Sequence, residues 1–471
     1  MNCRQPLAAA LSLLVMLALL APLAAHGSPK QVAATGTATG LQPSPSSPTS
    51  NGLLPIHPIA QTVWDSADGP VARLEIARAW LLGPAPLAMS VERYDDSPTG
   101  ARQLVYFDKG RLDILDANAN ADDYWSAPGG QLVTEMLSGA IQLGADRWID
   151  RGPAEVAVTG DPNQTDAVTY ATLGAVATLP HGLRADGAGA FEADSRLGQG
   201  ITAVLRSDGS IDADEYATSD VRVGSYDDVT RHNIAAPFRA WGETQVYEWL
   251  YVLGHPLTEP YWVDTVVGGT PMRVLVQAFE RRVLSYTPDN PAAWQVESGN
   301  VGQHYRAWRG LRQPADPALS PLVVSVPFGE ELVTAALTAG IDPYLLAALS
   351  EVASAGDPFL QSASGRRGLL GVPSQIAPAS DDPAANAMAG AVELARLLAD
   401  SGDERQALAA YHGATSDPSA TFAHTVLTVR DALRARQVAP LAPGAVSQPL
   451  AQFGSGAAAR FADGYVGDWW A

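Results

Sequence analysis

The sequence changes its pattern between residues 310 and 326, and this change constrains the fold more than any other feature. Before it, from about Gln61 to Gly310, short apolar runs such as QLVYF and MRVLVQAF are separated by Gly, Pro, Asn and Asp, a pattern typical of strands. After it, from about Val326 to Arg436, four or five helical segments follow one another. We therefore predict a multidomain chain in which a β-rich α+β region precedes an all-α region.

A unit that occurs twice makes up the β-rich region. RAWLLGPAP from Arg78 precedes RQLVYFDKGRLDI, and RAWGE from Arg239 precedes VLVQAFERRVLSY. Each copy joins a Phe to an acid and a base, as Phe107-Asp108-Lys109 and Phe279-Glu280-Arg281. We predict a hairpin in each copy, with the Phe facing inward and the acid and base paired at the rim. The first and second units are assigned to residues 59–180 and 181–315.

The N-terminus has the pattern of an export signal. MNCRQP is a short basic stretch, an apolar run follows it, and small residues near Ala25 and Gly27 offer a cleavage site. We therefore predict a signal peptide over residues 1–27 and a protein that is secreted, either extracellular or associated with the cell wall. The alternative is an uncleaved anchor, because the apolar run approaches the length that spans a bilayer. We predict no membrane span beyond this segment.

Two segments of low complexity flank the structured regions. Residues 28–58 are rich in Ser, Thr and Pro and predict a disordered linker, and residues 437–471 form a Pro/Ala/Gly tail. The only cysteine, Cys3, lies inside the signal, so cleavage would leave no thiol for a disulfide or a metal site.

Charge and motif content exclude several functions. The formal net charge is −20, which argues against nucleic acid and anionic membranes as partners. The histidines are scattered, and the sequence contains neither a His-Glu-x-x-His helix nor a Gly-x-Ser-x-Gly elbow nor a phosphate-binding glycine loop. We predict no metal site and no cofactor.

Two further stretches of the β-rich region contain residue types that can bind ligands. Asp116, Asn118, Asn120 and Asp122 alternate as calcium ligands do, but Ala121 replaces the turn glycine, so a solvated loop is favoured. The aromatic residues between Tyr247 and Trp262 can stack on sugar rings, although core packing is the more common role.

The helical region, residues 326–436, contains PYLLAALSEVASAGDPFLQSASGRRGLLGVPSQIA from Pro343 and LAAYH ending at His412. These stretches resemble the lytic-transglycosylase domain, a lysozyme-like helical fold that acts on peptidoglycan. Ser354, Asp357 and Pro358 match its first motif, and Gly368-Leu369-Leu370 begin its second. The β-rich half, through sequences such as YFDKGRLDI and GHPLTEPYW, resembles exported bacterial proteins of no assigned activity.

The resemblance implies a single catalytic acid, which protonates the glycosidic oxygen. The position of that acid is occupied by Ala353, and Glu351 is the only nearby substitute on the same helix. Two positions move a side chain by roughly 200° around a helix, so Glu351 is expected on another face. The resemblance also implies that substrate is bound by Ser354, Gly371, Tyr411 and His412.

These observations predict an exported cell-envelope protein with a degenerate domain that binds peptidoglycan, or another cell-surface glycan, without cleaving it. One alternative is an active peptidoglycan lytic transglycosylase that uses Glu351. Another is a purely structural or protein-interaction module. Loss of the acid removes a contribution of about 10²–10⁴-fold to the rate, which favours a protein that is not an enzyme.

Overall fold

The computed structural model describes residues 56–162, 164–180, 183, 191–216, 219–373, 376, 381–413 and 417–438. The predicted signal peptide, nearly all of the predicted linker and residues 439–471 of the tail lie outside the described residues. Within the described ranges, no helix has both the length and the apolar character needed to cross a bilayer.

The described residues form both helices and strands, so the fold is mixed α and β. The helices are α1 Pro58–Ala67, α2 Gly69–Ala72, α3 Leu132–Ser138, α4 Tyr170–Ala175, α5 Ala236–Glu243, α6 Trp249–Val252, α7 Val301–Arg309, α8 Ser320–Val323, α9 Gly329–Ala339, α10 Pro343–Ser354, α11 Pro383–Ser401, α12 Glu404–His412 and α13 Asp417–Val438. The strands are β1 Ala88–Arg93, β2 Ala101–Phe107, β3 Gly110–Ile114, β4 Ala140–Gln142, β5 Trp148–Asp150, β6 Val204–Leu205, β7 Ile211–Asp212, β8 Val223–Asp227, β9 His232–Ala235, β10 Tyr261–Val267, β11 Thr270–Ala278, β12 Val283–Tyr286, β13 Val296–Ser298, β14 Arg366–Arg367 and β15 Val372–Pro373.

Two larger sheets organise the β-rich region. One has three antiparallel strands in the order β1-β2-β3, and the other has six in the order β13-β12-β11-β10-β6-β7. In the second sheet only the β10–β6 pair is parallel. Helices dominate from α8 onward, in agreement with the change of pattern in the sequence.

One short hairpin departs from the prediction of an all-α region. Arg366–Arg367 pairs with Val372–Pro373 in antiparallel register within the helical region. The turn between them contains Gly368 and Gly371, both with positive φ, which glycine adopts without a Cβ clash. Strand segments of two residues are too short to produce a detectable alternation of apolar and polar positions.

The two repeated hairpins make the same hydrogen bonds in each unit. The Lys109 amide donates to Leu82 O at 2.9 Å, and the Arg281 amide donates to Leu253 O at 3.0 Å. Phe107 and Phe279 are fully buried, as predicted for the inner face of each hairpin.

The acid and base of each hairpin bind elsewhere rather than pairing at the rim. Asp108 accepts from the Gln303 side chain at 2.6 Å, and the Lys109 ammonium donates to Ser298 O at 2.6 Å. Glu280 accepts from the His255 amide at 3.2 Å, and Arg281 donates to Gly129 O. The first hairpin is therefore bonded to residues of the second unit, and Arg281 of the second hairpin is bonded to Gly129 of the first unit.

The helical region shares its apolar core with the β-rich region. The buried side chains of α9 and α10 form one cluster with Ile141, Leu143 and Ile149, which belong to β4, β5 and their connection. The Phe328 amide, immediately before α9, donates to Val91 O in β1 at 2.9 Å. The two regions predicted as separate domains are thus packed against each other through a common interior.

Candidate functional site

Helix α10, which carries Glu351 and Ala353, has clear local causes for its limits. Asp342 caps its N-terminus by accepting from the Tyr344 amide, and Pro343 occupies the first helical position. It ends where Ala355 adopts a left-handed conformation with φ 53°, directly before Gly356.

Ala353 and Glu351 occupy different environments on α10. Ala353 is 0% exposed and belongs to the apolar core of the helical region. Glu351 is half-buried, between the fully buried Ser350 and Val352. The separation between the two side chains agrees with the rotation expected from their spacing.

The two hydroxyl groups predicted to bind substrate are used inside the protein. The buried Ser354 hydroxyl donates to Leu369 O at 2.7 Å, with Ser350 O of the preceding helical turn as a longer alternative acceptor at 3.2 Å. The buried Tyr411 hydroxyl donates to Leu370 O at 3.0 Å. Both therefore hold the loop between β14 and β15, and a role in substrate binding stays a prediction.

Gly371 and His412 lie around the same loop. The Arg366 guanidinium donates to Gly371 O at 2.9 Å and to Tyr411 O at 2.5 Å. His412 is half-buried, with Nδ1 at 2.9 Å from the Ser419 hydroxyl oxygen and its ring centroid 4.8 Å from that of Phe422. His412 thus contacts the start of α13.

Residues of α11 also contact this loop. The Asn386 side chain accepts from the Leu370 amide at 2.9 Å and donates to Arg367 O at 3.0 Å. Gly390 lets α11 approach closely, because a Cβ there would lie 2.4 Å from a Leu370 methyl group. Sequence reasoning missed Arg366, although the pair Arg366-Arg367 between Gly365 and Gly368 was the available signal.

A second polar cluster, which the sequence did not predict, lies where the two regions meet. On one face of the β1-β2-β3 sheet, Arg102 bonds to Glu92 at 3.1 Å and to Asp113 at 3.2 Å. Arg111 bonds to Asp113 at 2.6 Å and to Glu135 of α3 at 3.3 Å. All five side chains are buried.

Helices α7 and α9 complete this cluster. Arg309 of α7 bonds to Glu92 at 2.9 Å and to Glu331 of α9 at 2.5 Å. The neighbouring Arg306 makes two bonds of 2.8 Å to Glu330. We call the following set the buried ion network: Glu92, Asp113, Glu135, Glu330, Glu331, Arg102, Arg111, Arg306 and Arg309.

The buried ion network holds five carboxyl groups and four guanidinium groups, which leaves one negative charge uncompensated. Burial raises the pKa of Glu331 to about 7, even though Arg309 attracts its charged form. Burial also opposes ionisation of Glu92, but Arg309 and Arg102 hold the pKa of that carboxyl at about 2. Burial raises the pKa of Glu135 as well, so Glu331 and Glu135 are the carboxyl groups of the network that hold a proton most readily.

Replacing Glu331 by Gln is expected to remove a pH dependence of stability. The folded-state pKa of about 7 exceeds the ordinary value of 4.5, so the unfolded chain loses this proton first as the pH rises. The free energy of unfolding of the wild type should therefore fall, relative to Glu331→Gln, by on the order of 3 kcal/mol between about pH 4.5 and about pH 7. Urea unfolding of both proteins across this range measures the change. An equal difference at all pH values would contradict the raised pKa.

The acidic loop weighed as a calcium site forms turns. The Asn118 amide donates to the Asp116 carboxylate at 2.9 Å, and the Asp122 amide donates to the Asn120 side chain at 3.1 Å. Across the part of the chain that the structure describes, no group of three His, Cys, Asp or Glu side chains is arranged to hold a metal ion.

Comparisons of the chain with protein-family models, with curated proteins and with solved structures found no significant match.

Proposed function

We propose that this is an exported, cell-envelope protein that binds peptidoglycan or another surface glycan and does not cleave it. The proposal that glycan is not cleaved is supported by Ala353. This residue is a fully buried alanine at the position where the resembled family has its catalytic acid. Without a carboxylic acid there, the leaving oxygen of a glycosidic bond has no proton donor from that helix face.

The surroundings of Ala353 also favour a structural role for this part of the helical region. The Ser354 and Tyr411 hydroxyls and the Arg366 guanidinium all bond to backbone carbonyls of the protein itself. Such bonds fix the β14–β15 loop and stabilise the interior, as satisfied buried polar groups do.

The test uses the purified full-length protein and insoluble peptidoglycan. We expect the protein to sediment with peptidoglycan and to release no soluble anhydro-muropeptides. Release that disappears in Glu351→Gln would instead establish the lytic transglycosylase. Absence of both binding and release would favour a structural or protein-interaction module.

Introducing the missing acid is expected to destabilise the protein rather than to create an enzyme. Ala353→Glu places a carboxyl group in an apolar core, where it must be protonated or displace its neighbours. We expect the free energy of unfolding to fall by at least about 3 kcal/mol. Ala432→Glu, at an exposed position of α13, is the control and should change it by less than about 0.5 kcal/mol. A stable Ala353→Glu protein would show that this position opens to solvent.

A further inference from the structure

A cluster of aromatic side chains lies on the surface of the β-rich region, far along the chain from Ala353. Tyr124 and Trp125 come from the short turn before α3, and Tyr247 and Tyr251 flank or belong to α6. We call these four residues the aromatic platform.

The aromatic platform is rigid because one buried ring supports the other three. Tyr251 is 5% exposed, and its hydroxyl donates to Ala127 O at 2.7 Å. The rings of Tyr124 and Trp125 meet it edge-on at centroid distances of 4.8 and 5.2 Å, and Tyr247 lies at 4.9 Å. A surface whose rings are already fixed loses little conformational entropy on binding a ligand.

The outer side of the aromatic platform is accessible. Trp125 is 41% exposed, and Tyr124 and Tyr247 are half-buried. Leu250 and Val246, next in sequence to Tyr251 and Tyr247, are 43% and 59% exposed. The accessible rings lie side by side, since the Tyr124 centroid is 6.0 Å from that of Trp125 and 4.8 Å from that of Tyr247. Contiguous exposed apolar surface marks an interaction site more often than scattered single residues do.

Carboxylates border the aromatic platform. The Glu248 carboxylate accepts from the Trp125 indole N–H at 3.0 Å and from the Tyr124 hydroxyl at 3.4 Å. Asp122 and Asp123 are exposed beside the same turn, and Asp123 accepts from the Trp125 amide. Carboxylates only accept hydrogen bonds, so the preferred ligand carries donors and no negative charge.

Neutral sugar rings have an apolar face for the aromatic rings and hydrogen-bond donors for the carboxylates. One face of a pyranose presents C–H groups that pack on an aromatic ring, and its hydroxyl and N-acetyl N–H groups are donors to carboxylates. Anionic polymers are disfavoured by the bordering acids and by the net charge of −20.

We propose that the aromatic platform, with Glu248 at its edge, binds neutral N-acetylated pyranose units of a glycan strand. The inference rests on the proposed function and names the surface that carries out the binding. It places the glycan on the β-rich region rather than beside Ala353.

Trp125→Ala in the full-length protein tests this inference, and Trp294→Ala is the matched control. Trp294 is 39% exposed and lies in a short turn of the second unit, outside the aromatic platform. The probes are the soluble β-1,4-linked N-acetylglucosamine tetramer, measured by calorimetry, and insoluble peptidoglycan, measured by co-sedimentation. We expect Trp125→Ala to weaken binding by at least about tenfold and Trp294→Ala to leave it unchanged, because a central Trp often carries such a share of binding energy.

Oxidative footprinting of the wild type supplies a measurement that does not depend on the folding of a variant. The tetramer should protect Trp125 and leave the oxidation of Trp294 unchanged. Equal binding by both variants, or equal protection of both residues, would overturn the inference while the proposed function stands. If the wild type binds neither probe, the proposed function itself fails.

Discussion

Replacement of Arg309 by Leu is expected to lower the free energy of unfolding by about 3–5 kcal/mol, because it removes a buried guanidinium that bonds to two buried carboxyl groups. Arg309 is 1% exposed and bonds to Glu92 in β1 and to Glu331 in α9. Its removal takes one of four guanidinium groups from a network that already has five carboxyl groups. Urea unfolding monitored by circular dichroism measures the loss.

The control for this experiment is Arg312→Leu. Arg312 follows three residues later and is exposed, so its replacement should change the free energy of unfolding by less than about 0.5 kcal/mol. Similar losses in the two variants would mean that water reaches the buried ion network.

A double-mutant cycle separates the charge effect from lost packing. In Arg309→Leu combined with Glu331→Gln, the carboxyl group that loses its bond to Arg309 is itself replaced by an amide, whereas Glu92 keeps Arg102 as a partner. The combined loss should therefore be smaller than the sum of the single losses, with a coupling energy of about 0.5–3 kcal/mol. Strict additivity would contradict a direct interaction between these two side chains.

The helical region is expected to be unstable when it is produced alone. Residues 317–438 lack Ile141, Leu143 and Ile149, which are buried in the same core as α9 and α10. Burial of three such side chains contributes at least about 5 kcal/mol, a large share of the stability of an ordinary domain. Arg306 and Arg309, the partners of Glu330 and Glu331, are missing as well. We expect little cooperative thermal unfolding from this segment.

Cleavage of the intact protein provides the matched control. Residues 315–318 are exposed between α7 and α8, so a protease site introduced there should be cut without disturbing the core. The two fragments should stay associated and keep a cooperative transition. A stable isolated segment, or fragments that separate on cleavage, would show that the two regions are independent domains. This outcome also decides whether glycan assays can be done on the helical region alone.

The sequence was sufficient for several parts of the candidate site. The Asp342-Pro343 start of α10 and its end before Gly356 are local signals. The significance of Ala353 rests on the resemblance to the lytic-transglycosylase domain and stays a prediction. The repeated Phe-acid-base pattern correctly predicted two hairpins with buried Phe side chains.

The same pattern did not predict the partners of the acid and base. Asp108 and Lys109 bind Gln303 and Ser298, which are almost two hundred residues away in the chain. The local Phe-acid-base pattern cannot predict such partners, because they are brought next to the hairpin by the fold of distant parts of the chain.

The sequence by itself determined the order of strands and helices, the limits of α10 and the absence of an acid at position 353. Only the tertiary structure decided that the charged face of the β1-β2-β3 sheet is buried. Alternation places Glu92 and Arg102 on one side of a sheet, but it is equally compatible with water or with a second layer on that side. Here α7 and α9 cover the face and supply Arg309 and Glu331, so a pattern that is typical of a solvated surface became the polar interior that joins the two regions.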